Sequence, residues 1–322
     1  MIPSNLVFFG THGVYSVTLL RALINGGHAP RLVIVGVEPP KNRRGDLVRL
    51  RSAEPGWWEQ LVWGSRRSDA PLAPGTIDLE AVAHAERIDV IVTSNPDALR
   101  VRAALHELVP EAYVVAGFPR LLSPRVLELA TRGGLNVHPG RLPSERGPSP
   151  LFWALREGRT ELGFTIHLLD PGEDSGDVVV QGGFQIIPGA DGHSVLRKAA
   201  ETSAPHLLKA LRGFLAGELV RTPQDAALAR RRPRPEFKDG RIDPERKALE
   251  IYTFVSACAR HYSLFVEVAN DRFFVKEAVS YEEGATLPSE YVVSGDVLLL
   301  RAQDGVVELA LKPQGALFSA EY

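Results

Sequence analysis

The chain has 322 residues, 44% hydrophobic and 24% charged, with a formal net charge of −2. That is the balance of a globular chain of about two domains, and its near-neutral field gives no general pull toward nucleic acid. Cys258 is the single cysteine, which excludes an internal disulfide and any cysteine-cluster metal site. No apolar run reaches the roughly 18–20 residues of a membrane-crossing helix. The opening, MIPSNLVFFG, lacks a cationic leader and cleavage site, so a cytoplasmic protein with no membrane partner is expected.

In chain order, LVFFG (6–10) predicts a first strand, followed by a glycine-bounded turn and a helix through SVTLLRALINGG. RLVIVGV (31–37), DVIVTS (89–94), AYVVAGF (112–118) and LNVHP (135–139) continue the strand series. These are short, β-branched runs suited to burial on both faces. Helical patterns fall between them near 77–86, 97–108 and 123–132. Strands separated by helices of this length imply right-handed crossovers and a mainly parallel sheet. Ligands of such sheets lie beyond the carboxyl ends of the strands, here the loops after Phe118 and His138.

Ser149 and Pro150 open a further helix as N-cap and first helical residue. LGFTIHLLD (162–170) and DVVVQGGFQII (177–187) read as strands joined by the turn PGEDSG, and a long helix follows over about 191–216. From 217 to 244 prolines and clustered charge mark a linker. A helix near 245–258 and short strands at 264–268, 272–276, 291–294, 297–301 and 306–311 then suggest a small β-barrel.

The segment LNVHPGRLPSERGP carries Asn136 and His138, two residues apart and so on one side of a pleated strand. Asp174 follows in the acidic turn. An amide donor, an imidazole and a carboxylate suit acyl transfer. The amide can stabilise an oxyanion, the imidazole can share that role or move a proton, and the carboxylate can hold the imidazole and accept proton density through water.

The stretch LNVHPGRLPSERGPSPLFWALREGRTELGFTIHLLDPGEDSGDVV resembles the signature region of the 10-formyltetrahydrofolate-dependent formyltransferases, which include methionyl-tRNA formyltransferase and the sugar N-formyltransferases. The matching residues are Asn136, His138 and Pro139, then Leu142, Pro143, Arg146 and Gly147. Gly163, Thr165 and His167 follow, then Asp170, Gly172, Asp174 and Gly176. The resemblance implies an α/β fold, a Rossmann-like mainly parallel sheet, with a smaller C-terminal β-barrel (OB-like) domain. It divides the chain into a catalytic domain (1–216), a linker (217–244) and a C-terminal domain (245–322).

By the same resemblance, Asn136, His138 and Asp174 are catalytic and 10-formyltetrahydrofolate is the co-substrate, with no metal. The pteridine would lie between the Phe118–Leu122 loop and the Asp170–Asp174 turn, contacting Phe118, Arg120, Leu121, Leu122, Asp170, Gly172 and Glu173, largely through backbone groups. Phe118, Leu121 and Leu122 read equally as ordinary packing under a loop. Arg141 and Arg146 would meet an anionic acceptor; Gly140 and Arg141 stand where relatives often carry serine and leucine, and Arg141 reads equally as a solvated side chain. His167, on an apolar strand, reads as a structural histidine.

Other signals carry less. Gly10-Thr11-His12-Gly13 lacks the third glycine of a dinucleotide fingerprint and reads as a tight strand-to-helix turn. Trp57, Trp58 and Trp63 share helical spacing and read as packing. The His12, His138, His167 and Asp174 set lacks metal-ligand spacing.

Two basic stretches, 41–51 and 230–241, could contact phosphates. Residues 241–322, however, hold eight Lys and Arg against thirteen Asp and Glu, a net of −5, which opposes riding on a nucleic acid. The expected acceptor is therefore a small-molecule amine, an amino sugar (nucleotide-linked) or a natural-product amine, with methionyl-tRNA as the alternative partner. A hydrolase using water in place of the amine, and a binding module on the same fold, are the readings from other classes. The oligomeric state is not written in these patterns.

Overall fold

The computed structural model describes residues 5–39, 46–51 and 78–313, so the first part of the 41–51 stretch and Trp57, Trp58 and Trp63 lie outside the described residues. The chain forms two compact units. The first comprises 1–147, 163–183 and 197–231; the second comprises 148–162, 184–196 and 232–322. Residues 217–244, read from composition as a linker, divide between them, Arg231 ending one unit and Arg232 opening the other.

The first unit is built on an eight-stranded sheet. Its strands are β1 (Leu6–Gly10), β2 (Leu32–Gly36), β3 (Val48–Arg51), β4 (Asp89–Thr93), β5 (Ala112–Ala116), β6 (Gly134–His138), β7 (Glu161–Leu168) and β8 (Val178–Gln185). Their order is β3-β4-β2-β1-β5-β6-β7-β8. From β4 through β6 every neighbour is parallel, as the βαβ periodicity predicts. β3 and β7 run antiparallel to β4 and β6. Strand β3 was not anticipated. Its VRLR pattern alternates, but arginines at an edge read first as a basic loop. Its ladder to β4, with Val48 opposite Thr93, is a long-range pairing that local sequence does not announce.

The helices of this unit are α1 (Val14–Asn25), α2 (Leu79–Ala85), α3 (Leu99–Leu108) and α4 (Pro124–Leu127). α1 buries Val14, Val17, Leu20 and Leu23 on one stripe, and α2 is capped by Asp78, whose carboxylate accepts the Glu80 N–H at 2.8 Å. α4 is one turn long where 123–132 was expected to be helical. The chain leaves the helix because Thr131 and Arg132 donate their N–H groups to Pro110 and Glu111, at 2.9 and 3.0 Å. Gly133 then turns the backbone into β6 at φ 83°.

The central strands are wholly buried. Phe9 meets Tyr113 edge-on at 5.1 Å and Phe118 at 5.3 Å. This aromatic wedge ties the loop after β5 to the core and so sets the height of the carboxyl edge.

The second unit holds α5 (Pro150–Arg156) and, after α6 (Gly192–Ala216), most of whose residues belong to the first unit, β9 (Arg241–Ile242), α7 (Ala248–Cys258), β10 (Leu264–Val268), β11 (Asp271–Glu283), β12 (Tyr291–Ser294), β13 (Val297–Arg301) and β14 (Gly305–Leu311). Its six-stranded sheet has the order β12-β13-β14-β11-β10-β9. It is antiparallel except where β9 runs parallel to β10. Alternation buries Leu298, Leu300, Val307 and Leu309 on one face, the period of two that marks a one-sided sheet. Phe152 of α5 packs against Phe254 and Tyr262, at 5.6 and 4.5 Å. Among the described residues, no helix is long and apolar enough to cross a membrane.

Candidate active site

Strand β6 brings Asn136 and His138 to the carboxyl edge of the sheet. Its antiparallel neighbour β7 sets His167 directly opposite Asn136 and Thr165 opposite His138. Residues paired this way share a face, so two x-Asn-x-His-like spacings on adjacent strands make one polar patch. His138, Thr165 and His167 are buried, which makes each of their hydrogen bonds consequential. Tyr15 of α1 anchors β6 by donating to the Val137 carbonyl at 3.1 Å.

Asp174 enters from the turn after β7, its backbone in the left-handed region at φ 52°. One carboxylate oxygen accepts the Gly147 N–H at 2.9 Å. The other accepts the Asn136 amide at 3.2 Å and faces His138 Nδ1 at 3.5 Å and His167 Nε2 at 3.6 Å. Burial on its own would raise this carboxyl's pKa. The adjacent His138, the hydrogen bond with His167, the Gly147 N–H and the charge of His167 outweigh it and hold the pKa down to about 2. Asp174 is therefore a carboxylate at neutral pH.

The bonding rules assign the rest. A carboxylate only accepts, so the NH2 end of Asn136 must face Asp174; it also contacts His167 Nε2 at 3.0 Å. His167 Nδ1 lies 2.8 Å from the Leu168 carbonyl and donates to it; Nε2 accepts from Asn136 when the ring is neutral and faces Asp174, 3.6 Å away, as a donor when it is protonated. His138 Nε2 lies 2.7 Å from the Glu145 carbonyl and must donate to it. Its Nδ1 then becomes a donor to Asp174 when the ring is protonated. The Asn136 protons expected at an oxyanion are thus spent on His167 and Asp174, and an oxyanion must take over one of those donations.

The loop after His138 is held by Thr165. Its hydroxyl donates to the Gly140 carbonyl at 2.7 Å and accepts the Leu142 N–H at 3.1 Å and Gln181 Nε2 at 3.0 Å. Gln181 also donates to the Leu142 carbonyl at 2.6 Å, and the Leu142–Pro143 bond is cis. Gly163 is required because a Cβ there would sit 2.1 Å from Arg141 Cγ, whose stem lies across that strand.

The structure brings Asn136, His138 and Asp174 together: the strand spacing puts the first two on one face, and Asp174 reaches them from the turn after β7. Of the residues assigned to the donor, Phe118 is half-buried against Phe9, Leu121 is 58% exposed, and Leu122 is buried in the core under the sheet. The Leu122 side chain therefore packs, and only its backbone can reach a ligand. Arg120 pairs with Glu38 at 3.1 Å. Both Asp170 oxygens accept the Ser175 hydroxyl, at 2.9 and 2.7 Å. Gly172 leaves room for Ser175 Oγ, 1.9 Å from where its Cβ would be, and Glu173 pairs with Arg231. Arg141 is exposed. Arg146 is half-buried and directs its guanidinium at Gln224 rather than outward, at 3.1 and 2.7 Å.

Sequence reasoning gave no role to three contributors, Thr165, Gln181 and Gln224. The Thr165-x-His167 spacing, identical to Asn136-x-His138, was a usable signal; it makes His167 a direct neighbour of the patch as well as a structural residue. Gln181 and Gln224 had none. His12 lies 3.1 Å from Asp78 and 3.5 Å from Glu80, close enough for the three to offer a metal ion one ligand atom each. The Arg49 guanidinium, 2.7 Å from Glu80, already supplies positive charge there.

A polar patch of this composition at the carboxyl edge of a parallel sheet is suited to group transfer, and comparison with known proteins gives the class. The formyl transferase family model matches residues 81–211, which contain Asn136, His138 and Asp174. A methionyl-tRNA formyltransferase of Koribacter versatilis is 30% identical over 298 residues, 92% of this chain and 86% of its own length. Another, from Anaeromyxobacter dehalogenans, is 34% identical over 246 residues, 76% of this chain and 70% of its own. The chain belongs to the formyl transferase family and is an N-formyltransferase.

Among solved structures, the N-formyltransferase from Helicobacter canadensis in complex with folinic acid and dTDP-3-aminofucose shares the fold, with a TM-score of 0.61 at 15% identity, covering 96% of this chain and all of that one. HypX from Aquifex aeolicus in complex with tetrahydrofolic acid gives 0.59 at 19% identity, over 95% of this chain and 43% of its own.

Proposed function

We propose that this enzyme transfers the formyl group of 10-formyltetrahydrofolate to a primary amine of a small acceptor, a nucleotide-linked amino sugar or a natural-product amine. The donor's pteridine lies between the Phe118–Leu122 loop and the Asp170–Asp174 turn, where a large apolar side chain, Leu121, stands exposed beside half-buried Phe118. The neutral amine attacks the formyl carbon, forming the C–N bond. The carbonyl oxygen becomes an oxyanion that takes over a hydrogen bond from Asn136 or from His138 Nε2. Collapse breaks the bond to the folate nitrogen, which leaves with a proton as the new amide nitrogen loses one. His138 carries positive charge through this step with Asp174 beside it, the role its 3.5 Å separation suits. The patch arranged around an ionised Asp174 supports the catalytic assignment of the three residues.

Charge supports the small acceptor. The second structural unit holds thirteen Lys and Arg against eighteen Asp and Glu, a net of −5, and a polyanion is repelled by such a field. Transfer to methionyl-tRNA is the second reading, favoured by the names of the curated relatives at 30 and 34% identity. The test is an assay with 10-formyltetrahydrofolate, scoring formylated product from nucleotide-linked amino sugars and from charged initiator tRNA. Transfer to the sugars alone supports the proposal. Transfer to tRNA alone overturns it in favour of the second reading, and formate release without any amine overturns both.

A further inference from the structure

The segment from Thr222 to Arg231 lies across the catalytic elements and is fastened at both ends. Thr222 and Val178 exchange two backbone hydrogen bonds of 2.8 Å. At the other end Arg146 N–H donates to the Arg230 carbonyl and Arg230 N–H to the Pro143 carbonyl, both at 3.0 Å, and Arg231 pairs with Glu173. Between these anchors Gln224 is half-buried. Its Nε2 donates to the carbonyls of Asp174 and Gly176 at 2.9 and 2.7 Å. Its Oε1 accepts both Arg146 Nε and the Arg146 terminal nitrogen, at 3.1 and 2.7 Å. The amide's orientation is forced, because carbonyls only accept and a guanidinium only donates. Every hydrogen-bonding valence of that side chain is thereby used.

The turn so gripped has reason to need gripping. Asp174 is a non-glycine residue at φ 52°, in the left-handed region that few side chains other than Asn and Asp adopt without support. Its neighbours leave little freedom as well, since a Cβ at Gly176 would sit 1.9 Å from the Leu168 carbonyl oxygen.

We propose that Thr222–Arg231 is a strap that positions the catalytic turn, with Gln224 as a positioning residue acting through Asp174 and Arg146 as its buttress. The inference rests on the reading of Asp174 as a working group of the site. It also reassigns Arg146, whose guanidinium holds the strap instead of the acceptor.

The experiment compares Gln224→Glu, Asp174→Asn and the double variant in the formyl-transfer assay, with thermal unfolding of each. Gln224→Glu keeps the oxygens that receive Arg146 but turns a carboxylate toward two carbonyls, so the strap stays fastened while the turn is released. The expected result is kcat down about 10–100-fold, the scale of a misplacement near 1 Å. The KM for 10-formyltetrahydrofolate should move less than about threefold and the Tm should be nearly unchanged. The double variant should be no slower than Asp174→Asn alone, because the two residues act in series.

Near-normal kcat in Gln224→Glu beside a crippled Asp174→Asn overturns the strap alone, as does a double variant whose losses multiply. Normal turnover in Asp174→Asn overturns the reading of the site and the strap's catalytic role with it. Should Gln224→Glu fail to fold, Arg146→Lys keeps the charge but not the two-pronged contact. A kcat about 3–10-fold lower supports the strap, and an unchanged kcat overturns it.

Discussion

Replacing Asp174 with asparagine removes one charge and almost no volume, so its effect on the site can be worked from the distances. The carboxylate stands 3.5 Å from His138 Nδ1. At an effective permittivity near 20, opposite charges at that separation attract by about 5 kcal/mol, and a hydrogen bond to a charged acceptor is worth about 1.5–3 kcal/mol. The amide keeps an oxygen for one donor, so the net loss of transition-state stabilisation should be about 3–5 kcal/mol. That corresponds to a fall in kcat of roughly 10²–10⁴-fold with KM little moved.

Stability supplies an independent check. A carboxyl whose pKa falls from 3.8 to about 2 on folding stabilises the fold above its unfolded value. That gain, about 2–3 kcal/mol, is lost as pH drops through the folded one. The variant should therefore be less stable than the parent at pH 7 by that amount, and the gap should close between pH 4 and pH 2. Formyl transfer followed by product formation, with urea unfolding at pH 7 and pH 2.5, measures both. Turnover within about threefold of the parent, or a stability gap at pH 2.5 as large as at pH 7, would refute the reasoning.

His138→Gln should lower kcat about 10²–10³-fold while leaving the urea midpoint near the parent's, since glutamine can still donate to the Glu145 carbonyl. Gly36→Val should press on the loop after β5, because a Cβ there would lie 2.4 Å from Pro119 and 2.8 Å from Phe118. The expected outcome is a KM for 10-formyltetrahydrofolate raised at least about tenfold, and an unchanged KM would separate that loop from donor binding. Gly176→Ala meets backbone rather than a flexible side chain, with its Cβ 1.9 Å from the Leu168 oxygen. It should cost about 3 kcal/mol or more in chemical unfolding. Tyr15→Phe leaves the Val137 carbonyl without its buried donor and should cost about 1–2 kcal/mol.

Much was legible in the residues because the features concerned are local. Buried parallel strands announce themselves as β-branched runs, and Asn136 and His138 share a face through the strand period alone. A turn with Asp170, Gly172, Asp174 and Gly176 is a compact pattern. Less legible was everything carried by pairing between distant segments: β3 against β4, the short α4 pulled out of its helix by Pro110 and Glu111, and Gln224 reaching Asp174 from fifty residues away. Arg146 shows the difference well. As part of a motif it read as an acceptor contact, but its direction depends on where residue 224 passes, which no local pattern encodes.

The amino-acid sequence by itself determined the class of fold and the family and pointed to the three groups proposed as catalytic, because periodicity and motif are written in local residues. Only the tertiary structure decided that the Asn136 donor is spent on Asp174 and His167, that His138 turns Nε2 to Glu145, and that Gln224, in the segment after α6, bonds the carbonyls of Asp174 and Gly176. Hydrogen-bond direction and the ionisation of a buried carboxylate depend on which atoms lie within about 3–4 Å, and the folded chain alone brings those atoms together.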